Sequence, residues 1–199
     1  MNAAASDPAR RVWQAMLTWR APDISRMESV RIQVSGKRIR ANGRIVAAAT
    51  ANNPAFGAYY DLQTDEAGAT RRFGLTVTLA ERERQLAIAR DEENMWLVTD
   101  HQGERRAGYD GALDVDVVFS PFFNALPIRR LGLHERADLV ALPMVYVNVP
   151  DMSVTAETVS YTSEGRLDGI KLRSPVADTT VSVDKDGFIE EYPGLAERI

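Results

Sequence analysis

Between Tyr109 and Leu131 the chain gathers the side chains best suited to chemistry: Asp110, Asp114 and Asp116, then Asn124, Arg129 and Arg130. Residues two apart on a strand share a face, so Asp114 and Asp116 are expected to stand roughly 6.5–7 Å apart at their Cα atoms. That separation suits general acid and base work in hydrolysis, or an oxygen-ligated cation. It equally suits two carboxylates on the solvent side of a half-buried strand, paired with Arg129 or Arg130. Like charges on one face repel, which makes an arginine partner a specific expectation.

Other chemistry has less to stand on. With Cys 0 the chain holds no disulfide, thiolate metal site, iron–sulfur cluster or cysteine nucleophile. His101 and His134 belong to no His-x-x-x-His or Glu-x-x-His pair, and both are expected in surface loops. The chain has no Gly-x-Ser-x-Gly elbow, phosphate-binding loop or dinucleotide fingerprint. No metal, cofactor or catalytic residue is therefore assigned. The 24 Lys+Arg against 28 Asp+Glu give a net charge of −4, a poor match to nucleic acid. Aromatic side chains are available to line a pocket, Tyr146, Tyr161, Tyr192, Phe119, Phe122 and Phe123 among them, although most aromatics in a β protein are plain core.

The elements that must position these residues are mostly strands. Turn signals recur at Ser35-Gly36, Asn42-Gly43, Glu66-Ala67-Gly68, Gln102-Gly103, Glu164-Gly165, Asp168-Gly169 and Lys185-Asp186-Gly187. Between them lie short runs rich in Val, Ile, Thr, Tyr and Trp, the pattern of an all-β chain of antiparallel hairpins. Asn42-Gly43 reads as a type I′ turn joining strands near Arg38–Ala41 and Arg44–Ala49. Trp13, Ala15, Leu17 and Trp19 share a face, as do Phe73, Leu75, Val77 and Leu79, and Leu113, Val115, Val117 and Phe119 oppose Asp114 and Asp116. Glu81–Arg90 has helix formers, but its punctuated context favours a charged turn and a strand.

Leu139–Val149 is apolar on both faces and Ile45–Ala51 behaves similarly with small side chains, so each must be covered on both sides or border a cavity. One short helix is expected near residues 124–131, capped by Asn124, with Pro127 in its first turn and Gly132 ending it. A terminal helical turn is expected after Tyr192-Pro193-Gly194. No repeat or linker divides the chain, so residues 1–199 read as one domain with 1–10 flexible. No stretch reaches the roughly 18–20 apolar residues of a membrane span, and the first residues lack the apolar core of a secretion signal, giving the cytoplasm as the expected location.

The block Asp110-Gly111-Ala112-Leu113-Asp114-Val115-Asp116 with Ser120-Pro121-Phe122-Phe123-Asn124-Ala125-Leu126-Pro127-Ile128-Arg129-Arg130-Leu131, then Val149-Pro150-Asp151-Met152-Ser153-Val154 and the closing run Val183 to Leu195, resembles a bacterial family described as "putative glycolipid-binding". The likeness runs from about Val12 to the C-terminus and is densest in the second half. It implies an extensively twisted antiparallel sheet curling into a barrel or half-barrel, similar to bacterial lipoprotein carriers that hold acyl chains, with no established activity or cofactor. The matching positions are Asp114, Asp116, Asn124, Leu126, Pro127, Arg129, Arg130, Tyr192, Pro193 and Gly194.

Together these readings give a non-catalytic protein that holds a glycolipid-like amphiphile in a β-sheet cavity. The candidate ligand-binding residues are Asp114, Asp116, Asn124, Arg129, Arg130, Tyr146 and Tyr192. A hydrolase or lyase using Asp114 and Asp116 in a cleft, and an interaction module that dimerises through an uncovered sheet face, are the alternatives.

Overall fold

The computed structural model describes residues 12–199; the N-terminal residues expected to be flexible lie outside them. Fifteen strands run β1 (Val12–Arg20), β2 (Arg26–Ser35), β3 (Arg38–Ala47), β4 (Phe56–Thr64), β5 (Thr70–Thr78), β6 (Glu83–Arg90), β7 (Trp96–Asp100), β8 (Gly103–Ala107), β9 (Asp114–Val117), β10 (Ala137–Val147), β11 (Val154–Glu164), β12 (Ile170–Ser174), β13 (Ala177–Val183), β14 (Ile189–Tyr192) and β15 (Ala196–Arg198), with helix α1 (Pro121–Leu131) between β9 and β10. All belong to one sheet in the order β8-β7-β6-β5-β4-β3-β2-β1-β15-β14-β13-β12-β11-β10-β9. The first eight strands form a meander of hairpins running outward from β1. The later strands return from the other side, and β15 pairs antiparallel with β1 through Trp19↔Arg198 and Arg20↔Glu197.

This is the expected all-β, antiparallel-dominated architecture with one short helix. One pairing departs from antiparallel: β9 lies parallel to β10, because α1 carries the chain back to the end from which β9 started. The edges β8 and β9 do not pair, so the curled sheet is a half-barrel rather than a closed barrel. Where β5 and β9 approach, the Thr70 N–H donates to the Leu113 carbonyl at 2.9 Å. No helix among the described residues is long and apolar enough to cross a membrane.

The alternating strands fold as their patterns dictate. In β5 Phe73, Leu75 and Val77 are buried, and the Glu81–Arg90 stretch is indeed a strand with Leu86 and Ile88 inward. Asn42-Gly43, however, is no turn. Strand β3 passes straight through it, with Asn42 opposite Arg31 and Gly43 opposite Val30, and the hairpin comes earlier at Gly36, whose φ is 60°. Gly43 serves packing instead: a Cβ there would lie 2.1 Å from Cζ of Tyr60, whose ring rests against the bare backbone. Ile45–Ala51 is not apolar on both faces in place either. Ile45 and Ala47 are buried, Val46 is 65% exposed, and the strand ends at Ala47.

Helix α1 begins earlier than Asn124. Ser120 takes the N-cap position and Pro121 the first turn, where its missing N–H costs nothing, so Asn124 is an interior residue and Pro127 sits well inside the helix. Gly132 ends it as expected, in a left-handed conformation with φ 68°. Every residue from Pro121 to Ile128 is buried, the signature of a helix surrounded by core. Phe122 and Phe123 fill the concave face of the sheet. Phe123 packs against Tyr60 with ring centroids 5.0 Å apart and edge-on to Phe73 at 5.4 Å.

Strand β10 separates this core from a second one, which explains its two apolar faces. Val145 and Val147 face the first cluster while Met144 joins Ile128, Leu133, Val159, Tyr161 and Leu172 in the second. Its early part is open, with Leu139 75% exposed. The expected helical turn near the C-terminus is absent, because the chain after Gly194 is drawn into β15 by pairing with β1 and β14.

The seating of Tyr60 on Gly43 yields a direct check. Gly43→Ala displaces the ring from the aromatic core and should lower the unfolding free energy by about 1–3 kcal/mol in urea denaturation. An unchanged midpoint would show that the ring is free to move.

Candidate ligand-binding cleft

A cleft of about 430 Å³ opens where four connections converge: residues 21–25 between β1 and β2, the β9–α1 junction, the β12–β13 hairpin and the turn between β14 and β15. Four predicted residues line it: Asp116, Asn124, Tyr146 and Tyr192. Parallel pairing sets Asp116 directly opposite Tyr146. Tyr192 ends β14 just before the Pro193-Gly194 turn, and Asn124 reaches the cleft from α1.

Asp114 and Asp116 share a face, as their spacing requires, but that face is not solvent. Their residues are 1% and 6% exposed, because β9 is covered on both sides. Their partners differ. Asp114 holds the expected arginine: Nη2 of Arg130 donates to Oδ2 at 2.5 Å and Nε lies 3.4 Å from Oδ1. Burial raises the Asp114 carboxyl and the Arg130 charge opposes that rise. No described side chain donates a hydrogen bond to Asp116. Burial pushes its carboxyl up to about 7, opposed by the Val117 N–H and reinforced by the charge of Asp114. Tyr146 and Tyr192 are also raised, Tyr192 to about 12, by burial first and then by the Asp116 charge beside them.

Asp114, Arg129 and Arg130 lie off the cleft wall. Arg129 turns toward the second half of the sheet, its guanidinium 4.6 Å over the Phe188 ring and its Nε buried without a partner. Burial lowers its proton affinity, offset by the nearby Asp186 and Asp184. His101 is exposed as expected, whereas the His134 side chain is only 9% exposed, with Nδ1 buried and unpaired. A Cβ at Gly187 would come within 2.9 Å of Arg129 Cγ and 3.1 Å of His134 Nδ1, so the turn before β14 is pressed onto both side chains.

Over residues 16–198 the chain matches the family described as "Putative glycolipid-binding". It belongs to that family. A crystal structure of a DUF1089 family protein from Pseudomonas aeruginosa superposes with a TM-score of 0.68, covering 100% of this chain and 97% of that one at 22% identity, which shows a shared fold. No curated protein matches.

In this member of the family, sequence reasoning missed a polar group between the cleft and the core. Arg26, 6% exposed, lines the cleft with its guanidinium 4.6 Å over Phe119, and its Nη2 donates to the Leu195 carbonyl at 2.9 Å. Two residues on, Glu28 is 3% exposed and accepts hydrogen bonds at 2.5 Å from both the Tyr60 and the Ser120 hydroxyls. Burial raises its carboxyl to about 7, against the pull of those two donors and of Arg26. The signal was present: Arg26 and Glu28 fall in phase with Val30, Ile32 and Val34 on the inward face of β2. Phe119, the residue before Ser120, is held at φ 75°.

Two stability measurements follow. Arg130→Met strands Asp114 and should cost about 3–5 kcal/mol, much of which a further Asp114→Leu change restores; equal instability of single and double variants would deny the clamp. Glu28 keeps its proton in the folded state from its ordinary value of 4.5 up to about 7. Over that window the native state binds more protons than the unfolded chain, so stability present at low pH is lost as pH rises through about 7. Each tenfold difference in proton affinity is worth about 1.4 kcal/mol. Wild type should therefore lose on the order of 3 kcal/mol relative to Glu28→Gln across that window. Parallel stability–pH curves would contradict the assignment.

Proposed function

We propose that the cleft holds one amphiphile without covalent chemistry, its polar head on the floor and its hydrocarbon portion along the rim. The division of the cleft lining supports this. Asp116, Asn124, Tyr146 and Tyr192 form a polar floor, while Ile24, 41% exposed, and Val176, 64% exposed, stand with Leu195 as apolar wall. The lining also carries Arg26 and, at the exposed side, Asp23 and Asp178, so apolar and polar groups meet in it as an amphiphile requires, and about 430 Å³ lies within the usual range of about 300–1,000 Å³ for a small-molecule site. A carboxyl, an amide and phenol hydroxyls match the hydroxyls of a sugar or polyol head. The name of the family agrees with that chemistry.

The interior of the curled sheet is not the acyl site on this reading, since α1 and its phenylalanines fill it. Arg129, Arg130 and Asp114 hold the fold rather than the head group. Acid–base hydrolysis by the Asp114–Asp116 pair loses its second member, because Asp114 is committed to Arg130 and does not border the cleft.

Native mass spectrometry of the gently purified protein should reveal a bound amphiphile, and octyl β-glucoside should raise the melting temperature. Val176→Asp, which sets a charge on the apolar rim, should weaken that binding by about tenfold, the order expected for losing one good apolar contact. No co-purified molecule, together with no thermal shift across a panel of alkyl glycosides, would sink the proposal.

A further inference from the structure

β9 carries two buried carboxyls that are treated differently. Asp114 receives Arg130 as a bidentate partner. Asp116, two residues along on the same face and 94% buried by the complement of its 6% exposure, receives no side-chain donor among the described residues, and it borders the cleft. A buried carboxyl without a counter-charge is costly unless something else supplies one. Arg26, the cation on the cleft wall, is already engaged: it stacks on Phe119, donates to Leu195 and lies within the field of Glu28. The groups that flank Asp116 are instead aromatic, Tyr146 across the parallel ladder and Tyr192 from β14, and both line the same space.

A carboxylate flanked by two tyrosines at the border of a cleft suits an ammonium group, which gains from the carboxylate charge and from contact with electron-rich rings. We propose that the head group taken by the cleft bears a protonated amine, as in an amino sugar or an alkylammonium head, seated on Asp116 between Tyr146 and Tyr192. This rests on the amphiphile reading above and narrows its ligand class. The ligand then completes on β9 what Arg130 completes for Asp114. A neutral polyol held by Asp116 as a hydrogen-bonding acid is the competing arrangement.

Three eight-carbon probes of different head charge separate these cases: octylammonium chloride, octyl β-glucoside and sodium octanoate, titrated as monomers into the full-length protein by isothermal calorimetry near pH 8. Octylammonium should bind at least about tenfold more tightly than octyl β-glucoside, with octanoate weakest, a difference of the size a desolvated ion pair supplies. Asp116→Asn should remove the advantage of the amine, with circular dichroism confirming that the variant is folded. Tyr192→Leu, tested alongside, should reduce octylammonium affinity more than that of the glucoside. Octyl β-glucoside binding as tightly as octylammonium, or an amine preference that survives Asp116→Asn, overturns the inference and leaves the amphiphile reading standing. Binding of none of the three overturns both.

Discussion

A single curled sheet leaves its concave face apolar and wet unless a second layer covers it, and in this chain α1 is that layer. The eleven-residue helix lies inside the curl rather than across its outside, buried from Pro121 to Ile128. Much else follows from fitting it there. Tyr60 of β4 lies flat on the neighbouring strand β3 beside Phe123, which explains the glycine at 43. The crossover through the helix makes β9 parallel to β10. The same crossover sets Asp116 beside Tyr146 and holds Asp114 within reach of Arg130 one element later.

The helix entrance is fixed as firmly as its body. The Ser120 hydroxyl does not cap the helix but donates to Glu28, so the junction is tied to the inward face of β2 through a carboxyl that also binds Tyr60. Arg26 extends this group to the cleft and to the Leu195 carbonyl in the last turn. One wall of the cleft thereby rests on the group that ties the helix entrance to the core: Arg26 is hydrogen-bonded to the last turn and lies in the field of the Glu28 carboxyl that Ser120 and Tyr60 hold.

How much of this could be read from the residues depends on whether the cause was local. Period-two alternation disclosed β1 and β5, because a half-buried strand writes its environment into its own sequence, while the charged β6 was legible only from the turns on either side of it. Gly43 was misread because a turn and a ring pressed on the backbone make the same demand for a missing Cβ, and the ring belongs to a residue seventeen positions away. The helix start was misplaced because Asn124 has the chemistry of a cap, whereas the proline at 121 supplies the actual entry. Four of the seven candidate site residues converge on one cleft, but what divides Asp116 from Asp114 is the reach of a single arginine, which spacing cannot encode. Arg26 and Glu28 were legible in principle as charges in phase with valines and isoleucines. A charged residue on an apolar face is the pattern most readily taken for a strand end.

The pairing of β15 with β1 also bears on how the molecule is made. The hairpins from β1 to β8 join neighbours in sequence and can form as the chain emerges, since local contacts close short loops. The inner edge of β1 has no such neighbour. Its partner is Ala196–Arg198, synthesised almost a whole chain later. Until then the end of the nine-residue β1 around Trp19 and Arg20 presents open backbone groups to other chains during synthesis, the exposure that chaperones attend to. The three-residue β15 is therefore the stitch that turns two separately growing halves into one sheet.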